Sequence, residues 1–247
     1  MIGDIFLVRG GRKSSSALVG AQKLIYNGVK SSHVEMSIGD GSLVHSTNDG
    51  GVHFVFLLDE LKDIKDDWKV IRLKGITEQE QEELAKAALY YLRQGYNKKF
   101  MGNGEEDASF CSELIAKIYK KAGVPLLDEK LPSKIAPAHF DRLAGESEQW
   151  EDVTDEYLAL IEKIKENEFP FRFAFNTIKS SMVKRSHLSS MRQTVFQAIQ
   201  KNAEDSGDQR QIDFIEKVKQ KLVAGRILDF WDETDTIPYK SQSDRKK

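Results

Sequence analysis

Four side chains carry the chemistry that this sequence can offer: Cys111, His33, His45 and Glu35. Cys111 is the only cysteine in 247 residues and sits in the run Ser109-Phe110-Cys111-Ser112-Glu113-Leu114-Ile115. A flexible polar loop, Gly95 to Ala108, precedes it. Leu114, Ile115, Ile118, Tyr119 and Ala122 then recur at helical spacing, with Gly123 as the stop. With Ser109 or Asp107 as cap, Cys111 falls in the first turn of a helix. Unpaired amides and the positive end of the macrodipole favour a thiolate there. A thiolate so placed needs a base to become a nucleophile, and an imidazole on a strand supplies the minimal partner. The helix terminus also offers the backbone N–H of Cys111 to an oxyanion. The bland alternative is that a lone cysteine fills the core as a small hydrophobe.

The base lies far upstream. Ser32-His33-Val34-Glu35-Met36-Ser37-Ile38 alternates strictly, with Val34, Met36 and Ile38 on one face and His33, Glu35 and Ser37 on the other. Gly39-Asp40-Gly41 is a turn signal, and Ser42-Leu43-Val44-His45-Ser46 reads as the returning strand. A three-residue loop over 39–41 pairs Ile38 with Ser42 and Glu35 with His45. His45 then lies diagonal to His33, roughly 6–8 Å away between backbones and within side-chain reach. A slip of one residue would turn His45 to the other face. Either His45 or Glu35 can orient His33, and Glu35 can equally be a solvated strand residue.

These residues need strands and helices to hold them. Asp4 to Val8 reads as a short apolar strand. A helix follows, capped by Ser14–Ser16, with Ala17, Leu18, Ala21, Leu24 and Ile25 on one face. Val52–Phe56 and Lys69–Leu73 read as further strands, with His53 half-exposed and structural on the first. Thr77-Glu78-Gln79-Glu80 is a capping box before the apolar stripe Leu84, Ala85, Ala88, Leu89 and Leu92. Val124 to Pro137 meanders. From about Trp150 the chain turns helical: Thr154 caps one helix, an aromatic cluster spans 169–175, and helical patterns follow over 187–203 and 209–224. Gly225 is a helix stop, and 240–247 is a polar tail. The reading is therefore α+β, a small antiparallel sheet packed on helices over residues 1–148, with a helical region over 149–247.

Composition removes several classes. A net charge of -2 gives no footprint for nucleic acid, and one cysteine excludes an internal disulfide. No signal peptide and no membrane-spanning run stands out, so the expectation is synthesis in the cytoplasm; signal-independent export would leave no mark. Gly10-Gly11-Arg12-Lys13-Ser14-Ser15 lacks the spacing of a phosphate loop. No metal-ligand spacing and no cofactor motif is present, and the expectation is none of either. His139 and His187 have no partner pattern. Arg172, Lys179, Lys184, Arg185 and Arg192 form an acid-free span within 171–200 that could dock on anionic lipid or wall polymer, or pair with the acidic stretch 146–168.

The segments Gly3-Asp4-Ile5, Ser32 to Gly41, and Phe110-Cys111-Ser112-Glu113-Leu114-Ile115 resemble the circularly permuted papain-like hydrolases. These are a branch of the NlpC/P60 superfamily that includes the YiiX/YaeF-type amidases and the lecithin:retinol acyltransferase-like enzymes. In that branch the histidine strand precedes the cysteine helix, as it does here, and the resemblance covers roughly residues 1 to 140. It implies Cys111 as nucleophile, His33 as general base and His45 as the third residue, with Glu35 as rival. The amidase-type members commonly carry glutamate where His45 stands, and the acyltransferase-like members can carry histidine. Two enzyme readings follow: a cysteine hydrolase of amide or peptide bonds, for instance in a cell-wall peptide and even as a secreted effector, or a lipid-directed thiol acyltransferase or phospholipase. A third reading keeps the fold as an inert binding module.

Overall fold

The computed structural model describes residues 1–224 apart from Arg12 and Asp128; the expected stop at Gly225 and the polar tail 240–247 lie outside the described residues. A six-stranded antiparallel sheet organises the first 152 residues. Its strands are β1 (Ile5–Val8), β2 (His33–Gly39), β3 (Ser42–Thr47), β4 (Gly51–Phe56), β5 (Lys69–Leu73) and β6 (Trp150–Asp152), in the order β4-β3-β2-β1-β5-β6. β1 is central and apolar on both faces, and all four of its residues are buried. The first five strands follow the pattern of the sequence. β6 was not expected, because three residues with two acids carry no strand signal; it forms by pairing Trp150 with Leu73 at the sheet edge.

The helices are α1 (Lys13–Gln22), α2 (Leu57–Glu60), α3 (Glu78–Tyr91), α4 (Cys111–Ala122), α5 (Pro137–Glu146), α6 (Thr154–Glu166), α7 (Glu168–Ser206) and α8 (Gln209–Ala224). The capping box at Thr77 forms as read: Glu80 N–H donates to Thr77 Oγ1 at 3.2 Å and Thr77 N–H to Glu80 Oε2 at 2.8 Å. Ser14–Ser16 lie inside α1 rather than capping it, and Leu24 is exposed beyond its end. The stretch read as a meander ends in α5, which Pro137 opens at a first-turn position where its missing N–H costs nothing. α6 starts as expected, but its cap is Val153. Thr154 Oγ1 instead accepts Val70 N–H at 3.0 Å, tying α6 to β5.

The described residues form two compact units, one spanning Met1–Phe175 and a second beginning at Asn176. In the first, Arg172 donates from Nη1 and Nη2 to Asp59 at 2.7 and 3.1 Å and from Nε to Glu168 at 2.6 Å, so one member of the basic span is engaged internally. In the second, α8 meets the side of α7 that carries Phe196, Gln200 and Ala203. Met191, Val195 and Ile199, whose apolar spacing in the sequence reads as core, are exposed. Among the described residues no helix is long and apolar enough to cross a membrane.

A buried ion pair ties β1, β5 and α6 together. Asp4 is fully buried and accepts from Arg72 Nε at 2.9 Å, Arg72 Nη2 at 2.8 Å and the Tyr157 hydroxyl at 2.8 Å. Removing one partner of such a pair strands the other charge in low dielectric. Asp4→Ala is therefore expected to cost about 3–5 kcal/mol of folding stability in urea denaturation. A loss below ~1 kcal/mol would mean that Glu156, which Arg72 already meets from Nη1 at 3.0 Å and Nη2 at 2.8 Å, suffices to hold the guanidinium.

Candidate active site

α4 is locked in place before it can present anything. Its residues from Cys111 to Tyr119 are buried except Lys117, and it packs on α3, β2, β3 and the 3-10 turn Pro132–Lys134. The expected cap does not form: Phe110 occupies the cap position, and Ser109 Oγ is spent on Gln94 Oε1 at 2.6 Å. Glu113, three residues into the helix and fully buried, takes over. Its Oε2 accepts Phe110 N–H at 3.3 Å and Asn97 Nδ2 at 3.0 Å, and Lys117 Nζ balances its charge at 3.2 Å. The carboxylate also suits the positive helix end.

The loop Gly95 to Ala108, expected to be flexible, is pinned at both ends. Gly95 N–H donates to Asp107 O at 2.8 Å, Ser109 N–H to Gly95 O at 2.9 Å, and Lys117 Nζ to Glu105 O at 2.6 Å and Ala108 O at 2.9 Å. Ser46 on β3 donates to Ser109 O at 2.6 Å. These bonds fix Cys111, at the first position of α4 and 6% exposed, against the start of β2.

The hairpin delivers the partners. Met36 pairs with Val44 and Ser37 with Leu43, the expected register, which carries Glu35 and His45 into contact. Only the tip differs: Gly39 pairs with Ser42 across a bulge, and the turn narrows to Asp40 and Gly41, both at positive φ (50° and 73°). Two-residue turns of that kind match the twist of the strands.

Four groups converge. The His33 imidazole and the Cys111 thiol lie close enough for each to shift the other's proton equilibrium. His33 Nε2 lies 3.3 Å from His45 Nδ1 and 3.4 Å from Glu35 Oε1, which leaves Nδ1 for the thiol. His45 Nδ1 lies 2.9 Å from Glu35 Oε1. Glu35 and His45 therefore both face the same nitrogen of His33. Glu35 is fully buried, not solvated. His33, Glu35 and His45 also bring their donor atoms within 4.8 Å of one another, a set able to hold a metal ion that no spacing in the sequence announced.

Two residues escaped the sequence reading. His53, on the strand after His45 and directly opposite it, places Nε2 3.0 Å from His45 Nε2 and Nδ1 2.9 Å from Gly51 O. It shares the polar face of His45, a signal that pairing the third strand would have exposed. Glu60, on α2, brings Oε2 to 4.0 Å from His45 Nδ1; a four-residue helix in an acidic stretch gives no sequence cue. His139 stands apart, with Nδ1 accepting Ala136 N–H at 3.0 Å, and His187 is exposed on α7.

Electrostatics separates the pair as a nucleophile needs. Burial alone would raise the Cys111 thiol, but the charge and hydrogen bond of His33, with the amides of Val34 and Ser112, bring it below its ordinary value. Burial would lower His33, and the Cys111 thiolate and Glu35 carboxylate outweigh it and raise it well above the usual histidine range. Burial likewise opposes ionisation of Glu35, yet His45 and His33 hold it well below the carboxylate range. Burial and then the charge of Glu35 push Glu60 up to about 8, so Glu60 is neutral at pH 7. A cavity of about 740 Å³ opens beside His33, lined by Gly10, Ser15, Thr47, Asn48, Glu60 and Asp63 among others.

No curated protein matches this chain. A crystal structure described as that of the metalloprotein YiiX from Escherichia coli O157:H7 is similar to it at 21% identity, covering 62% of this chain and 96% of that one, with a TM-score of 0.47. The model of the permuted papain-like amidase enzymes, YaeF/YiiX, C92 family, matches residues 3–141, the span that carries β1 to β5, the histidine strand among them, and the cysteine helix. With the histidine strand ahead of the cysteine helix and more than half of the chain inside that match, this protein belongs to the permuted papain-like amidase family.

Proposed function

We propose that the protein is a cysteine hydrolase that cleaves an amide or peptide bond through an acyl-enzyme. The observation that carries this reading is the close approach of Cys111, at the first position of a buried helix, to His33, near enough for the imidazole to favour the thiolate. His33 Nδ1 takes the thiol proton, and the sulfur attacks the acyl carbon. His33 Nε2–H is held by His45 Nδ1 and Glu35 Oε1, which orient the ring and support its charge. The N–H of Cys111, one of the helix-terminal amides with no acceptor within the helix, stabilises the oxyanion. His33 then returns its proton to the leaving amine, and water, activated by the same ring, frees the acyl group. Ser15, Thr47, Asn48 and Asp63 in the cavity beside His33 offer hydrogen-bonding groups to a peptide-like substrate, such as a cell-wall peptide.

The first test is alkylation of Cys111 against pH in chelator-treated protein. Reactivity should titrate well below the ordinary thiol value of about 8.5, and His33→Ala should return it towards that value. An ordinary profile in both proteins would leave an inert binding module. The second test offers peptide amides and acyl esters to the protein. Cys111→Ala should abolish turnover, and His33→Ala should lower kcat/KM by about 10²–10⁴-fold. A mass increment on Cys111 from the acyl group of an amide substrate supports the reading, whereas acylation by lipid esters alone would overturn it in favour of an acyltransferase.

Stability carries a separate pH signature. Glu60 binds its proton more tightly in the folded state than unfolded, so folding stability falls as pH rises from about 4.5 through about 8. Glu60→Gln removes this dependence. The difference in unfolding free energy, Glu60→Gln minus wild type, should grow in favour of the variant between pH 5 and pH 9. A constant difference would place the Glu60 proton elsewhere.

A further inference from the structure

We propose that His33, Glu35 and His45 form a binding site for one divalent cation of the zinc type, and that the bound cation silences Cys111. The second half rests on the cysteine-hydrolase reading; the binding itself does not.

The hydrogen-bond chain on β3 and β4 fixes the tautomers. His53 Nδ1 faces the Gly51 carbonyl at 2.9 Å, so it carries the hydrogen, and in the neutral ring Nε2 is a lone pair. His45 Nε2 must then donate across the 3.0 Å contact. That leaves His45 Nδ1, 2.9 Å from Glu35 Oε1, to take either a proton, which it then donates to the carboxylate, or a cation. His33 Nε2 closes the triangle at 3.3 and 3.4 Å. Protons can bridge these atoms, and so can a cation.

The dimensions select the cation. Three ligands at about 2.0–2.1 Å from a tetrahedral centre stand about 3.3–3.4 Å apart. The triangle here has edges of 2.9, 3.3 and 3.4 Å. Two imidazoles and one carboxylate suit zinc; magnesium and calcium require more oxygen ligands. The outer layer is also built: His45 hands its second nitrogen to His53, and His53 is tied to Gly51. Glu35 Oε2 is buried and, protonated Glu60 apart, meets no hydrogen-bond donor among the described residues. His33 and Glu60 line the cavity, which gives a path of entry.

Binding exchanges protons for the cation, since each ligand must present a lone pair. A His33 ring bound through Nε2 keeps its one hydrogen on Nδ1, the nitrogen that faces Cys111. It can no longer accept the thiol proton, so thiolate formation stops without any change at sulfur.

The test uses full-length, chelator-treated Cys111→Ser protein titrated with ZnCl2 by calorimetry and with CoCl2 by visible absorption. One equivalent should bind, with the intense d–d bands of a tetrahedral cobalt site. His45→Ala and Glu35→Gln, each in the Cys111→Ser background and checked for native circular dichroism, should weaken binding at least tenfold. Absence of one-to-one binding, or equal affinity in a folded Glu35→Gln protein, would overturn the site. In wild type, one equivalent of zinc should slow Cys111 alkylation at least tenfold and chelator should restore it; binding without slowing would overturn the silencing. Because the binding arm lacks the thiol, it reads the same whether or not the cysteine mechanism holds.

Discussion

The site depends on one constraint, the register of the antiparallel β2–β3–β4 meander. Side chains on a strand alternate, so a slip of one residue would carry His45 from the face of Glu35 to the face of Val44. Both faces of β2 are buried, with Val34 and Met36 at 0% exposure on one side and Glu35 at 0% on the other. A slip would therefore bury His45 among apolar groups and strand the Glu35 carboxylate, two penalties of several kcal/mol. The apolar core and the polar cluster enforce the same register from opposite sides of one strand.

The second element is a helix that begins where it does because Glu113 holds its own N-terminus. The serine that looked like a cap is drawn into the Gln94–Ser109–Lys117 network, which anchors the preceding loop. The result is a rigid loop feeding a rigid helix, with Cys111 pressed on the strand that carries His33. A hydrogen bond between thiol and imidazole needs placement within a few tenths of an ångström, and neither a frayed helix end nor a mobile loop would hold it.

Charge in the cluster is balanced in layers. Glu35 supports His33 and His45, while Glu60, next to it, stays protonated near neutrality because two adjacent buried carboxylates do not both ionise. The same concentration of lone pairs that orients a catalytic imidazole is what a divalent cation requires. In the two proposals made above, catalysis and metal occupancy compete for His33 Nε2, with His45 and Glu35 serving both states.

The sequence by itself determined the local elements and the chemical cast. Period-two alternation in Ser32–Ile38, the Gly39-Asp40-Gly41 turn, the Thr77 capping box and the apolar stripe after Cys111 each depend on neighbours a few residues away, so they were legible. So were Cys111 and His33, by residue type, and the Glu35–His45 pairing, which follows from one hairpin. Tertiary structure decided the rest. His53 joined the cluster only when β4 paired with β3, Glu60 only when α2 folded over that face, and β6 only when β5 offered an edge. Glu113 became the cap because burial gave Ser109 another partner. Whether Glu35 was solvated or buried turned on what packed against its strand, a contact that no periodicity encodes.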